Sequence, residues 1–433
     1  MSSYVELHCH SSFSFLDGAS SPLELAEKAA ELGYPTLALT DHDGVWGSME
    51  FAVACKGAGI RAITGTELTV EEGGRLFHLT LLVENETGYH NLCRLLTASH
   101  AHTRDGRDRR VGQPRVPLGD LAGRAEGLIC LTGCARQGLI PAAWADGDLA
   151  RGETLARRLR RWFTPENLRV EIQRPYWRHD HARNRWLAGL ARSLELPLVA
   201  TGNVHSHERE RARLQDALVA VRLGSNLADS EPQRRGNSTS TLASPGQMAY
   251  RFPDYPEAVS ETVRVAERLV FDLERDLGYR YPQQGDPKTD RDLAALCQTR
   301  IDERYRGSRQ EPEARARLEN ELKIIRGLGL SGFFLLHHDL LELAREVAVE
   351  VRGTSSARGV LPPGRGRGSS VSSIVCYLTG LSHIDPVKAD LFPGRFLNEE
   401  VTTAPDIDLD FPRDIRERLI PRIHQRYGRD RSA

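Results

Sequence analysis

The sequence predicts an α/β fold in its first half, because strand-like and helix-like segments alternate there. Short apolar runs recur along this half, and stretches with helical periodicity lie between most of them. Such alternation is typical of a parallel α/β barrel or a doubly wound sheet. Polar residues follow the apolar runs, and in both folds the residues at the carboxyl ends of strands converge on one site. The second half has mainly helical periodicity.

Seven apolar runs are strand candidates. They cover residues 4–7, 37–39, 62–63, 76–83, 127–131, 168–172 and 198–200. The first predicted helix begins after Ser21, which can cap it with Pro22 at the first position, and Glu24 completes a capping box. Further helices are predicted at 47–56, 89–98, 149–163, 182–194 and 208–222. The stretch 103–117, rich in Arg, Asp and Gly, predicts an exposed loop.

At 433 residues the chain is too long for one ordinary domain. We predict three regions: the alternating α/β region over residues 1–225, a linker and connecting helix over 226–290, and a mostly helical region over 291–433. The stretch 224–246, rich in Ser, Asn, Pro and Gly, marks the first boundary. Helical periodicity resumes at 256–273, then at 292–305, at 312–325 and in an apolar segment that runs through Ala348.

The composition is that of a globular protein, with 40% hydrophobic and 27% charged residues. No apolar run is long enough for a membrane span, and the N-terminus lacks a signal-peptide pattern. Seven cysteines, an odd number, indicate reduced thiols, so we expect a cytoplasmic protein. Arginine supplies all but five of the 58 cationic residues. Its clusters at 104–115, 157–161 and 358–367 either contact nucleic acid or form solvated surface.

Side chains that commonly bind metals follow several of the strand candidates. His8 and His10 point to the same face of an extended segment, so both imidazoles can chelate one ion. In the run Asp41, His42, Asp43 the two aspartates point to one face and the histidine to the other. Only one of these faces can contribute to the site, and the sequence leaves open which. The other ligand-type residues at such positions are Asp17, Glu67, His78, Cys134 and His205.

These side chains together predict a divalent metal site. Taken singly, His78 is more typical of a core histidine and Cys134 of a small buried side chain. Their recurrence after strands favours metal, because so many imidazole, carboxylate and thiol groups would be hard to satisfy in one place without cations. The ligand types suit Zn²⁺, Mn²⁺ or Fe²⁺ better than Ca²⁺. Bound ions of this kind can activate water and hold a phosphate, so phosphoester hydrolysis is the reaction class that follows.

The motifs around these residues resemble those of the PHP (polymerase and histidinol phosphatase) family. The matching motifs are Leu7-His8-Cys9-His10-Ser11, Leu16-Asp17-Gly18, Leu39-Thr40-Asp41-His42-Asp43, Gly65-Thr66-Glu67 and Thr201-Gly202-Asn203-Val204-His205. The resemblance implies a seven-stranded α/β barrel that holds two or three metals. The ligands that it implies are His8, His10, Asp17, His42, Glu67, His78, Cys134 and His205. The family usually has Asp-x-His in the last motif, whereas Asn203 here offers an amide oxygen and no charge.

Two carboxylates lie near the end of the chain in a strand-like run. Asp408 and Asp410 are two residues apart, so both project from one face of the strand. That arrangement suits a pair of Mg²⁺ ions in phosphoryl transfer. Upstream, a Gly/Arg/Ser segment offers backbone amides and hydroxyls that can hold a triphosphate as an anion nest. The segment comprises Gly366, Arg367, Gly368, Ser369 and Ser370.

In their order after the PHP motifs, these segments resemble the start of the palm of bacterial C-family DNA polymerases. This family includes the DNA polymerase III alpha subunit and its error-prone relative, and residues 40–47 and 205–224 look closer to the error-prone branch. The resemblance implies a DNA-directed DNA polymerase of translesion synthesis and DNA repair, with template-primer DNA and deoxynucleotides as partners. Its palm needs a third carboxylate from a later strand, and no suitable one follows Asp410.

We therefore expect a fragment, a truncated gene product or one half of a split enzyme. Its polymerase site is expected to be incomplete and inactive in this chain alone, and in a split enzyme a second polypeptide would carry the rest of the polymerase. Other repair or replisome proteins are further expected partners. Two other functions remain open from the sequence. One is a stand-alone PHP phosphoesterase that depends on metal, and the other is a catalytically silent PHP scaffold that binds DNA or partner proteins.

Overall fold

The computed structural model describes residues 4–103, 112–277, 286–354, 364–392, 394, 396–397 and 405–428. Contacts divide the chain into two compact units, Met1–Gly278 and Tyr279–Ala433. Most of the predicted loop at 103–117 and of the Arg clusters at 104–115 and 358–367 lies outside the described residues. No helix in the described part of the chain is both long and apolar enough to cross a membrane.

The first unit is built on a curled sheet of seven strands. They are β1 (Thr36–Leu39), β2 (Arg61–Glu72), β3 (Arg75–Val83), β4 (Val116–Pro117), β5 (Leu128–Leu131), β6 (Leu168–Gln173) and β7 (Leu198–Thr201). Their order is β1-β2-β3-β5-β6-β7, and β4 pairs with β2. The pairs β2–β3 and β3–β5 are antiparallel, and the other pairs are parallel. The sheet departs from a wholly parallel one because Gly73 and Gly74, both with positive φ, turn β2 tightly into β3.

The predicted first strand, at residues 4–7, closes the curl of the sheet as extended chain. The amide of Ala38 in β1 donates to a carbonyl of this segment at 3.0 Å. After β7, the amide of Val204 donates to the carbonyl of His8 at 2.9 Å, and the amide of His10 donates to the carbonyl of Val204 at 2.8 Å. The segment thus links β7 back to β1, and it places both histidines where these strands end.

Helices cover the outside of the sheet. Those described in the first unit are α1 (Pro22–Glu31), α2 (Ser48–Gly57), α3 (Glu86–His100), α4 (Leu139–Ala145), α5 (Leu149–Asn167), α6 (Asp180–Ser193), α7 (Ala212–Arg222), α8 (Pro245–Arg251) and α9 (Pro256–Arg268). The predicted capping box of α1 is confirmed, because the Ser21 hydroxyl accepts from the Glu24 amide and the Glu24 carboxylate accepts from the Ser21 amide at 2.8 Å. The alternating α/β prediction for this half is confirmed as well.

The compact units differ from the predicted three-part division. Residues 226–277, expected to form a linker and a connecting helix, belong to the first unit. Met248, Phe252 and Val259 are buried in the same apolar core as Leu37 of β1. Burial of such side chains stabilises by about 2 kcal/mol each, which is enough to hold a segment against the sheet. The Ser- and Gly-rich composition of 224–246 therefore marks an irregular segment within the unit.

The second unit is mostly helical, as predicted. Its described helices are α10 (Pro287–Tyr305), α11 (Glu311–Gly327), α12 (Ser331–Arg352), α13 (Ile374–Leu378) and α14 (Arg413–Tyr427), and β8 (Arg365–Arg367) pairs antiparallel with β9 (Asp408–Asp410). The buried carboxylate of Glu321 in α11 accepts from the Ser373 hydroxyl at 2.7 Å and the Ile374 amide at 3.0 Å. It therefore caps α13, which follows the Gly/Arg/Ser segment.

Two helical glycines provide a matched stability test of the first unit. A Cβ on Gly88 in α3 would lie 1.8 Å from the carbonyl oxygen of Gly127, whereas a Cβ on Gly189 in α6 would meet nothing within 4 Å. We expect Gly88→Ala to lower the free energy of unfolding by about 2 kcal/mol or more. Gly189→Ala should raise it by up to about 1 kcal/mol through helix propensity. Chemical denaturation measures both, and equal effects would contradict this packing of α3.

Candidate metal centre and carboxylate pair

The carboxylate of Glu67, on β2, lies at the centre of a group of four histidines. Its Oε1 is 3.3 Å from Nε2 of His8, and its Oε2 is 3.6 Å from Nε2 of His10. The same Oε2 lies 3.1 Å from Nδ1 of His42 and 3.3 Å from Nδ1 of His78. All but His42 are buried. The structure therefore brings together five of the residues that the sequence marks as ligands, from four separate segments of chain.

Several atoms of this group are buried and lack a hydrogen-bond partner among the described residues. They are Nε2 of His8, Nε2 of His10, Nδ1 of His78 and Oε1 of Glu67. Three overlapping triplets have ligand atoms within 4.8 Å of one another: His10, His42 and His205; His8, His10 and Glu67; and His42, Glu67 and His78. Unpaired buried polar atoms are costly and rare in folded proteins. Imidazole nitrogens and a carboxylate converging in this way fit a divalent cation of the Zn²⁺, Mn²⁺ or Fe²⁺ type.

The protonation of the group follows from its burial and mutual charges. Burial by itself would raise the pKa of Glu67, but His78, His8 and His42 hold this pKa well below its usual range. Burial, with His205 and His42 nearby, lowers the pKa of His10 well below its usual range, so its imidazole is neutral. Burial opposes the charged form of His8, yet Glu171 and Glu67 raise its pKa. A cation bound here would displace protons from these side chains. The affinity for the cation is therefore expected to fall as the pH is lowered.

Glu171 on β6 orients His8 from behind. Its Oε1 lies 2.7 Å from Nδ1 of His8, and it accepts hydrogen bonds from Gln173 at 2.8 Å and from the Thr201 hydroxyl. A carboxylate on Nδ1 is the usual outer partner of a metal-binding histidine. It leaves Nε2 of this imidazole facing Glu67. Sequence reasoning missed Glu171. Its one signal was a carboxylate inside an otherwise apolar strand candidate at 168–172.

Asp17 gathers the remaining predicted ligands at the other end of the cluster. Its Oδ2 lies 3.2 Å from Nε2 of His42 and 3.3 Å from Nε2 of His205. The Nδ1 of His205 donates to the carbonyl of Asn203 at 3.0 Å, in the tautomer that leaves Nε2 as an acceptor. Burial and the nearby Arg235 lower the pKa of His205 to about 4. Arg235, which sequence reasoning also missed, contacts both Asp17 and His205.

Cys134 and Asn203 are the two predicted ligands with the least direct contact to the carboxylates. The buried Cys134 side chain interacts with His78. The Oδ1 of Asn203 is buried without a hydrogen-bond partner, on a residue with a φ of 49°. The structure therefore leaves an amide oxygen free in the motif that carries His205.

The structure shows which of Asp41, His42 and Asp43 faces the site, which the sequence left open. His42 faces Glu67, whereas Asp41 binds the loop that follows His10 and Asp43 binds strand β2. Asp41 accepts from the amide and the hydroxyl of Ser11 at 2.7 and 2.8 Å. Asp43 accepts from the amide and the hydroxyl of Thr69 at 2.7 Å each. These two carboxylates therefore support the site without facing it.

In the second unit, Asp408 and Asp410 project from one face of β9, as the strand prediction requires. Their side chains are 55% and 57% exposed, and Leu409 between them packs against the core. The Nε of Arg367 on β8 lies 3.8 Å from Asp408 and 3.4 Å from Asp410. A guanidinium on the neighbouring strand therefore offsets the repulsion between the two carboxylates.

The Gly/Arg/Ser segment offers fewer free groups than its composition suggests. A Cβ on Gly366 would lie 2.6 Å from the carbonyl oxygen of Leu381, so only glycine fits there. The amide of Gly366 donates to that same carbonyl. Ser370 is buried, and its hydroxyl donates to the carbonyl of Arg367 at 2.9 Å. The side chain of Arg367 remains exposed beside the carboxylate pair.

Comparison with known proteins agrees with this arrangement. Residues 6–175 match the PHP domain family, and residues 291–433 match the bacterial DNA polymerase III alpha NTPase domain. An error-prone DNA polymerase of Symbiobacterium thermophilum is 38% identical over 100% of this chain and 39% of its own length. A DNA polymerase III subunit alpha of Treponema pallidum is 34% identical over 99% of this chain and 36% of its own length.

A solved structure from Bifidobacterium adolescentis, provisionally described as a metal-dependent phosphoesterase, covers 47% of this chain and 88% of its own. Its identity is 16% and its TM-score is 0.34, which is too low to carry an argument. This chain spans about two fifths of the curated relatives that it matches. It carries regions that match the PHP domain and the bacterial DNA polymerase III alpha NTPase domain, in that order, and over its whole length it is similar to part of bacterial error-prone and DNA polymerase III alpha polymerases.

Proposed function

We propose that this chain is the N-terminal part of an error-prone DNA polymerase, a nucleotidyltransferase that acts in translesion synthesis and DNA repair. The observation that carries the proposal is the pair Asp408 and Asp410 on one exposed face of β9, within the region that matches the polymerase family. The similarity over the whole chain to a protein named error-prone DNA polymerase supports the choice of branch. The cytoplasm, where bacterial DNA and deoxynucleotides are, is the proposed location.

The carboxylate pair suits metal-assisted phosphoryl transfer. Two Mg²⁺ ions held by Asp408 and Asp410 would stabilise charge on the attacking and leaving oxygens. Arg367 is placed to contact a phosphate of the incoming nucleotide, since a guanidinium is a rigid fork of donors. Template-primer DNA and deoxynucleotides are the proposed substrates. Other repair or replisome proteins are the proposed partners.

The PHP domain implies binding of divalent metals, and we propose that the residues around Glu67 and Asp17 are its ligands. The proposed set is His8, His10, Asp17, His42, Glu67, His78, Cys134, Asn203 and His205. Zn²⁺, Mn²⁺ and Fe²⁺ are the ions that these side chains suit. A bound ion would hold a phosphate and activate water, and the buried unpaired nitrogens therefore also favour a second candidate function, phosphoester hydrolysis in the PHP domain.

Removing metal should lower the melting temperature of the protein. A ligand that binds only the native state at about a thousandfold excess over its Kd stabilises that state by about 4 kcal/mol. We expect chelator to lower the melting temperature and Zn²⁺ or Mn²⁺ to restore it, with bound metal measured by elemental analysis. Glu67→Gln should lose most of this shift. Glu27→Ala, an exposed acid on α1, should keep it. A melting curve unaffected by chelator in a protein without metal would contradict the metal centre.

The polymerase proposal predicts that either aspartate of β9 is essential. In a polymerase assembled from this chain and the remaining polymerase regions, Asp408→Ala or Asp410→Ala should lower primer extension by about 100-fold or more, because positioning and charge stabilisation supply most of the catalysis. Metal content of the PHP domain should stay unchanged. Glu417→Ala, an exposed acid on α14, is the matched control and should retain extension. Extension that survives Asp408→Ala, or that is equally lost in Glu417→Ala, would refute the assignment.

A further inference from the structure

The two buried carboxylates of the candidate metal centre, those of Glu67 and Asp17, have different kinds of partner. Around Glu67, the neighbouring nitrogens of His8, His10 and His78 are buried, lie 3.3, 3.6 and 3.3 Å from the carboxylate, and have no hydrogen-bond partner among the described residues. None of the three triplets of candidate ligands contains Asp17, which already has polar partners from the protein. Those partners are His42, His205, Gln215, Arg222 and Arg235. The side chains around Glu67 therefore fit an added cation, whereas Asp17 already contacts the cationic side chains of Arg222 and Arg235.

Arg235 lies where a cation between Asp17 and His205 would lie. Its Nη2 is 3.4 Å from Oδ2 of Asp17 and in direct contact with Nε2 of His205. A metal would need the lone pair on that Nε2, because Nδ1 of His205 donates its proton to the carbonyl of Asn203. His205 also lies near His10 and His42, but it is this same nitrogen that Arg235 meets. The guanidinium and a metal thus compete for one acceptor.

The side chain and the backbone of Arg235 are held in place by surrounding residues. The side chain is only 11% exposed. The indole N–H of Trp177 donates to the carbonyl of Arg235 at 3.4 Å, and the guanidinium of Arg136 donates to the carbonyl of Gln233. The neighbouring Arg234 pairs with Asp216 of α7 at 3.1 Å. Three side chains from different elements therefore fix this segment across the Asp17 end of the cluster.

The charges fit a monovalent group at this end. Asp17 brings one carboxylate, and Asn203 adds an amide oxygen without charge. A second guanidinium, that of Arg222, lies 3.3 Å from Oδ1 of Asp17. A divalent ion placed beside Asp17 would meet the repulsion of both arginines at short range. These two guanidinium groups already balance the single carboxylate without an added ion.

We propose that Arg235 is a built-in cation that takes the place of one metal ion, so the centre binds its divalent ions at the Glu67 end only. The proposal rests on the metal centre proposed above. It narrows the ligand set proposed above, because in the native protein Asp17 and His205 bind Arg235 instead of metal. It also gives the irregular segment after α7 a role, because this segment carries the guanidinium into the cluster.

The test counts metal ions per chain. The protein is equilibrated with Zn²⁺ alone, passed through gel filtration and measured by elemental analysis. In the native background, Asp17→Asn should leave the count unchanged, whereas Glu67→Gln should lower it. The double variant Arg235→Met with Asn203→Asp removes the guanidinium and adds a carboxylate, so it should bind one more equivalent than the native protein. Arg213→Met, which removes an exposed arginine on α7, should leave the count unchanged.

Each outcome bears on the proposal. A lower count in Asp17→Asn would overturn it, because metal would then already bind at Asp17. An unchanged count in the folded double variant, checked by circular dichroism, would overturn it too. An extra equivalent that disappears when Asp17→Asn is added to the double variant would support it. A native protein whose metal content is insensitive to Glu67→Gln would instead contradict the proposed metal centre itself, so the two failures are distinguishable.

Discussion

The burial of the Glu67 carboxylate among histidines is the constraint on which the first unit's site depends. An isolated carboxylate in a protein interior is strongly disfavoured, and it persists only with charged or hydrogen-bonding partners. Here the partners come from the first extended segment, from the chain after β1 and from β3, and their histidine nitrogens all lie within 3.6 Å of the Glu67 carboxylate. The curl of the sheet brings these chain segments together, so the fold and the electrostatics of the site support each other.

The same cluster shows two ways of balancing buried charge. At the Glu67 end, histidines offer lone pairs that fit divalent metal, and Glu171 fixes the tautomer of His8 from behind. At the Asp17 end, guanidinium groups are already in contact with the carboxylate. A site of this kind combines lone pairs that can bind a cation at one end with a fixed positive charge at the other. Such a combination suits an anionic substrate such as a phosphoester.

In the second unit, the two neighbouring carboxylates lie at the surface, where their mutual repulsion is weaker. Asp408 and Asp410 are more than half exposed, so solvent and the neighbouring Arg367 offset their repulsion at little cost. The opposite face of β9 is apolar through Leu409, which anchors the strand to the core. A second buried acid, Glu321, has a structural role, because it caps α13 after the Gly/Arg/Ser segment. The two exposed acids of this unit thus face solvent and Arg367, and the buried acid stabilises the fold.

The sequence by itself determined the local features. Period-two placement put His8 with His10, and Asp408 with Asp410, on common faces, and the capping box at Ser21 and Glu24 follows from residue types three positions apart. Tertiary structure alone decided the rest. The sequence left open which of Asp41, His42 and Asp43 faces the site, because that depends on the twist of the chain after β1. Arg235 lies 218 residues from Asp17, and Glu171 lies 163 residues from His8. No local pattern links such partners, because their contact arises only when the curled sheet closes and residues 226–277 pack onto it.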